Sequence, residues 1–235
     1  MKLSIVIPCY NEGKNVSMIL DNFQHIITRD DIEIVLVNNG STDETADILE
    51  KALPLYSFLS VVHVKKNQGY GFGILSGLEK AKGEYIGWTH GDMQTPPEDV
   101  LRALAIIEKA GNSKEIYVKG LRKGRSLFDV FFTFGMSVFE TIFLREKLYD
   151  INAQPNIFHR SFFEDWKNPP HDFSLDLYVF YLARKKKMNV VRFDCVFANR
   201  VHGESHWNKN FYAKWKFIKR TLAFSLELRK RLKNI

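Results

Sequence analysis

His90, Asp92 and Gln94 fall at alternate positions in THGDMQTPPED (89–99), directly after the apolar run EYIGW at 84–88. A period of two turns all three side chains to one side of an extended chain that is just ending. A carboxylate, an imidazole and an amide turned to one side can together hold a polar ligand. Two other stretches share this setting. In SIVIPCYNEGKN (4–15) an apolar run reaches Pro8 and is followed by Tyr10, Asn11 and Glu12. In IVLVNNGSTDET (34–45) a run ends on Asn38 and Asn39, and Gly-Ser-Thr-Asp then opens a helical pattern. Taken alone, each also reads as a helix cap in a strand-to-helix turn.

The elements that must position these residues alternate. Short β-branched or aromatic runs at 3–7, 32–37, 58–64 and 84–88 predict strands. Between them, Val16, Ile19, Leu20, Phe23, Ile26 and Ile27 follow a 3.6-residue period. A second helix is predicted after the Ser41–Asp43 cap, with Ile48, Leu49 and Ala52 on its apolar side. A third carries Leu75, Leu78 and Ala81 and stops at Gly83. A fourth opens at Pro96-Pro97-Glu98. Strands alternating with helices predict a mostly parallel sheet covered on both faces, an α/β fold. Ligands bind such sheets beyond the carboxyl ends of the strands, which selects residues 8–12, 38–43 and 89–94.

The second half is less regular. Residues 127–144 (LFDVFFTFGMSVFETIFL) are nearly all apolar and only about long enough to cross a bilayer. Asp129 and Glu140 interrupt them, so a buried or interfacial helix is expected. Residues 172–184 predict a helix and 189–197 a late strand. Residues 208–232 predict a basic helix with Phe211, Trp215, Ile218 and Leu222 along one stripe.

Composition narrows the function classes. A chain of 235 residues with 45% hydrophobic content suits one large globular domain. Met1 runs straight into LSIVI, without a signal-peptide pattern. The only cysteines, Cys9 and Cys195, lie in apolar runs and read as buried thiols in a reducing, cytoplasmic setting. The net charge of +7 is uneven. Residues 206–235 hold nine Lys and Arg against Glu227, and the rest of the chain is close to neutral. A basic tail fits an anionic membrane surface, peripheral at its inner face, or a solvated face of a packed helix. Nucleic acid is not expected as a partner, because the excess charge is confined to one helix and the strand-end groups would be left unexplained.

Together the three strand ends resemble the family 2 glycosyltransferases, inverting nucleotide-sugar enzymes of the GT-A fold. The resemblance covers about residues 3–205. It rests on Pro8, Tyr10, Asn11 and Glu12; on residues 38–43; on Asn67 and Gly69; and on Asp92 within HGDMQTPPE. Within the family the chain is most similar to dolichyl- and polyprenyl-phosphate sugar synthases, whose pattern is Asp-Ala-Asp-Leu-Gln followed by Pro-Pro-Glu. Arg122 before an apolar helix, FSLDL at 173–177 and RVHGES at 200–205 also fit that branch. The resemblance implies a Rossmann-like GT-A domain over 1–205 and a basic amphipathic helix over 206–235.

It also implies a hexosyl transfer from a nucleotide-diphosphate sugar to a polyprenyl phosphate. The alternatives are a glycan hydroxyl as acceptor, or a domain that binds a nucleotide sugar without transfer. Pro8, Tyr10, Asn11, Glu12, Asn38, Asn67 and Gly69 would line the nucleotide-sugar pocket, and Arg122, Arg200 and Ser205 would meet phosphates. Asp92, helped by Gln94 and His90, would hold Mn²⁺ or Mg²⁺ against the diphosphate. His90 stands where the family pattern has its first Asp. An imidazole suits Mn²⁺ better than Mg²⁺, or could bond a diphosphate oxygen directly. Asp172 and Asp176 are the candidates for a catalytic base, which a hydroxyl acceptor needs and an ionised phosphate does not. Both also read as helix N-terminal acids.

Overall fold

A computed structural model of the chain describes residues 1–92, 94–197 and 211–231. The elements run β1 (Leu3–Cys9), α1 (Gly13–Ile26), β2 (Ile32–Asn39), α2 (Thr45–Ala52), β3 (Leu59–Val64), α3 (Tyr70–Lys80) and β4 (Tyr85–Trp88). They continue through α4 (Glu98–Lys109), β5 (Ile116–Lys123), α5 (Leu127–Leu144), β6 (Asn156–His159), α6 (Arg160–Glu164), α7 (Ser174–Lys185), β7 (Asn189–Val196) and α8 (Phe211–Arg231). All strands join one seven-stranded sheet in the order β3-β2-β1-β4-β6-β5-β7.

The four strands read from the first half pair in parallel, with Cys9 beside Asn38 and Val6 beside Trp88. β2 and β4 lie on opposite sides of β1, so the order reverses there and a crevice opens beyond the strand ends. β6 is the exception, antiparallel to both β4 and β5. Alternation along β1 sorts the core. Leu3, Ile5, Ile7 and Cys9 face the cluster that holds Leu20 of α1, Leu49 of α2 and Leu104 of α4. Val6 faces the other side, with Leu78 of α3, Leu175 and Val179 of α7, and Phe224 and Leu228 of α8. Each face is sealed by helices, so nearly every β1 and β2 residue is buried.

β5 and β6 had no reading from the sequence. In IYVKGLRK, Lys119 and Gly120 break the apolar run, and β6 has four residues. The late strand and the helix expected over 172–184 are present as β7 and α7. The stripe read along residues 208–232 is only partly visible, because the side chains of Phe211, Trp215 and Ile218 lie outside the described set. Within it, α8 turns Phe224, Ser225 and Leu228 inward, against α5 and α7. No helix among the described residues is long and apolar enough to cross a membrane.

Candidate functional site

The loops after β1 and β2 are tied to each other. The Asn11 N–H donates to Ser41 Oγ at 3.1 Å, and the Thr42 N–H donates to Asn11 Oδ1 at 2.8 Å. The Glu12 N–H reaches Thr45 Oγ1 at 3.0 Å and the Gly13 N–H reaches Asp43 Oδ2 at 3.3 Å. These bonds satisfy donors at the start of α1 from the neighbouring loop rather than from a local cap. Burial works against the Asp43 charge, but bonds from the Thr45 hydroxyl and the Thr45 and Gly13 N–H groups hold its carboxyl below the usual range. Asn11 adopts a left-handed conformation, φ 56°, and Tyr10 is exposed at the mouth.

The two amides that end β2 point to opposite faces. Asn38 accepts from the Ser41 N–H at 3.0 Å and meets His63 of β3 at 3.2 Å. Asn39 donates to the Gly69 carbonyl at 3.0 Å. Asn67 accepts from the Gly69 N–H at 2.9 Å, fixing the turn into α3. Gly69 has φ +118°, and a Cβ there would lie 2.3 Å from the His171 carbonyl oxygen. Only glycine satisfies both constraints. The loop before α7 thus rests on the start of α3: the Phe72 N–H donates to the His171 carbonyl, and Tyr70 stacks on Phe173 at 4.6 Å. Asp172 lies in this loop, half-buried, its Oδ1 accepting from the Ser174 N–H at 2.9 Å.

The third segment leaves β4 and turns back at once. Thr89 and Thr95 hydroxyls meet at 3.1 Å across the turn, and Asp92 accepts from the Gln94 N–H at 3.2 Å. Asp92 is 6% exposed. His90 packs edge-on to Phe197, 6.2 Å between ring centres, and the Arg122 guanidinium lies 5.4 Å from the centre of the same ring. Arg122 is thereby brought to the same edge as Asp92. It does not stand free there: its backbone N–H and Nε donate to buried Asp150 at 2.8 and 2.9 Å. Arg125 approaches the same carboxylate at 3.5 Å, and Arg192 caps the Gly120 and Tyr149 carbonyls beside it. Despite burial, the Arg122 guanidinium and N–H keep the Asp150 carboxyl below the usual range. The sequence reading missed Asp150, Arg125 and Arg192. A single arginine inside the strand-like NVVRFDCVF was the available signal.

Asp176, read alongside Asp172, has a different place. It is 2% exposed, inside the sheet's second core. Asn156 bridges it to Lys119: Asn156 Nδ2 donates to Asp176 at 3.2 Å and Lys119 Nζ donates to Asn156 Oδ1 at 2.7 Å. Lys119 also donates to the Ala153 carbonyl at 2.6 Å, and Tyr117 to Asn156 at 2.6 Å. Burial lowers the affinity of Lys119 for its proton and raises that of Asp176, and each charge offsets part of the other's shift. Tyr70, bonded to Gln154, joins this layer to the crevice. Burial and the charges of Asp176 and Asp92 push its hydroxyl well above its ordinary pKa. Arg200 and Ser205 lie outside the described residues.

Among the described residues no three His, Cys, Asp or Glu side chains form a cluster that could hold a metal alone. One carboxylate, with an imidazole and an amide at alternate positions, instead fits an ion that takes its remaining oxygens from a diphosphate.

Residues 4–167 match the family described as glycosyl transferase family 2. An undecaprenyl-phosphate 4-deoxy-4-formamido-L-arabinose transferase of Pseudomonas fluorescens is 37% identical over 111 residues, 46% of this chain and 32% of that protein. The uncharacterized glycosyltransferase YkcC of Bacillus subtilis is 29% identical over 132 residues, 54% of this chain and 40% of that protein. The matched region thus spans about a third of the curated relatives' length. Among solved structures, a mannosyltransferase from Pyrobaculum calidifontis, in complex with GDP-Man and Mn²⁺, superposes with a TM-score of 0.69 at 20% identity. The match covers 98% of this chain and 64% of that one. Glucosyl-3-phosphoglycerate synthase from Mycobacterium tuberculosis, in complex with UDP, gives 0.70 at 16% identity over 96% and 79%. These neighbours establish the GT-A fold. With a family match over residues 4–167 of 235, the chain belongs to glycosyl transferase family 2.

Proposed function

We propose that the chain is an inverting glycosyltransferase that moves a sugar from a nucleotide-diphosphate donor to a polyprenyl phosphate. One observation carries this reading: residues 8–12, 38–43 and 89–94 meet at one edge of the sheet, with the buried carboxylate of Asp92 among them. The printed activity of the undecaprenyl-phosphate relatives supports the acceptor. Tyr10, Asn11, Glu12 and Asn38 border the nucleotide pocket, which begins at Pro8, and Asn67 and Gly69 shape its wall. Asp92, His90 and Gln94 would hold the ion. Mn²⁺ suits this set better than Mg²⁺, because imidazole is a poor ligand for the latter. When bound, it would offset the charge of the departing diphosphate.

In the reaction, an acceptor phosphate oxygen attacks the sugar's anomeric carbon. The bond to the nucleoside diphosphate breaks with its electron pair, and the configuration inverts. The acceptor is already ionised, so no proton moves, and Asp172 holds the Ser174 N–H at the start of α7. Asp176 is a positioning group that fixes α7 beneath the crevice. Arg122 offers the part of its guanidinium that Asp150 leaves open to a phosphate, and Arg200 and Ser205 are assigned the same role from the sequence. The buried free thiols fit a cytoplasmic, reducing setting.

The test is transfer of label from a pool of radiolabelled nucleotide sugars, with Mn²⁺, into the organic phase. Label should appear only with polyprenyl phosphate present and fall by roughly a thousandfold in Asp92→Ala. Label that never enters the organic phase, with an active donor pool, would remove the lipid phosphate and leave a glycan hydroxyl, for which Asp172→Asn should then be inactive.

A further inference from the structure

Helix α5 is built inside out. A helix on the surface of a globular domain turns its apolar stripe inward and its polar face to water. In α5 much of the side facing the domain is polar: Ser137 and Glu140 are buried, Thr133 accepts from Arg125 and Thr141 is bonded to Leu148, with Phe143 and Leu144 the apolar contacts at its end. The residues facing outward are Leu127 at 89% exposure, Phe131 at 76%, Phe134 at 54% and Ile142 at 73%, with Val130, Val138 and Phe139 between them. Their spacing of three, four, seven and eight residues makes one continuous stripe from Leu127 to Ile142, about 24 Å of the 18-residue helix. A shallow apolar depression lined by Phe131, Phe132, Gly135 and Met136 opens on it. An apolar surface of this length is not built to face water.

Charge decides what covers it. Exposed Arg145 and Lys147 follow the C-terminal end of the stripe, and exposed Lys123 precedes its N-terminal end. Alongside, Arg229 of α8 lies over the Phe143 ring at 4.8 Å, and Phe143 stacks on Phe139 of the stripe. Lys219 and Lys230 are also exposed on α8. A second copy docked parallel through this face would set Arg145 and Lys147 against their own counterparts, like charge against like, whereas Lys123 at the other end already has Asp194 3.6 Å away. An apolar stripe bordered by cations matches an anionic phospholipid surface, with the helix lying in the interface.

We infer that the outward face of α5 is the membrane-docking surface of this protein, taking an anionic phospholipid bilayer as its partner. In the described part of α8, Phe224 and Leu228 are buried against the domain, so that part adds cations beside the apolar face of α5. The inference stands on this surface and not on the acceptor proposed above. α5 follows Arg122 by five positions, so docking through it would hold the crevice edge close to the bilayer plane.

The test is flotation of the full chain with phosphatidylcholine vesicles, with and without phosphatidylglycerol, in the absence of nucleotide sugar and polyprenyl phosphate. Binding should be strong with phosphatidylglycerol, weaker without it, and reduced by salt. Phe131→Asp and Ile142→Asp change exposed side chains, so their melting curves should match the wild type. Each should lower partitioning by about tenfold, and Phe131→Leu should retain it. Variants that float as well as the wild type would overturn the inference. So would a wild type that ignores vesicles and forms a dimer that Phe131→Asp disperses, since a second copy would then cover the stripe. Vesicle binding here, together with no label in the organic phase of the separate transfer assay, would refute the acceptor and leave this surface standing.

Discussion

Glu140 gives the packing of α5 on α8 a quantitative signature. Its carboxyl is fully buried, and the Ser225 hydroxyl lies 2.7 Å from Oε1 and 2.8 Å from Oε2. Burial raises its pKa from 4.5 to about 7, against a smaller opposing pull from Ser225. The folded state therefore holds this proton more tightly than the unfolded state. Its contribution to stability is fully present below pH 4.5 and is lost as the pH rises through about 7. The gap of about 2.5 pH units, at 1.36 kcal/mol each, corresponds to about 3 kcal/mol at alkaline pH. Glu140→Gln keeps the shape and cannot ionise. Thermal unfolding of both proteins, followed by circular dichroism from pH 4 to 8.5, should give coincident melts at pH 4. At pH 8.5 the variant should melt about 6–12 °C higher. Parallel curves across the range, or a variant that melts lower at pH 8.5, would refute the reasoning that this carboxyl is buried without a compensating charge.

Two further predictions concern the crevice. Asp150→Asn leaves Arg122 and Arg125 without their anion and should cost about 3 kcal/mol, seen as a lower urea midpoint with an unchanged slope. Gly69→Ala forces a Cβ onto the His171 carbonyl at a positive φ. It should lower stability by about 1–3 kcal/mol and displace the Asp172 loop, read as faster amide exchange at Phe72, whose N–H bonds that carbonyl.

The first four strands and four helices were legible because each strand is a short apolar run and each helix keeps its period. The strand-end groups were legible as ends of elements. Their cross-links, such as the Asn11 amide bonded to the loop after β2, were not, since no local pattern pairs residues 31 apart. Asp172 and Asp176 look alike in sequence, each near the start of one helix. Register separates them, one at the surface loop and one buried on Asn156. β5 escaped notice because Lys119, a charge in the middle of a strand, normally signals a surface. Here it is buried, bonded to the Ala153 carbonyl and to Asn156, which links it to Asp176. Residues 127–144 could be recognised as apolar, but composition alone does not say which side of the helix meets the protein. That side is set by Glu140 and Ser225.

The bond between Arg122 and Asp150 joins residues 28 positions apart and closes the base of the excursion that contains α5. Antiparallel pairing of β5 with β6 fastens the same base a second time. Everything between these two fastenings is a cassette whose ends are fixed by the sheet. Its outward face can change in surface character without moving residues 8–12 or 38–43, while Leu144 and Leu148 keep the segment packed on the core. Exchanging that outward face between relatives is therefore a direct route to chimeras that keep the same strand-end crevice and differ in surface.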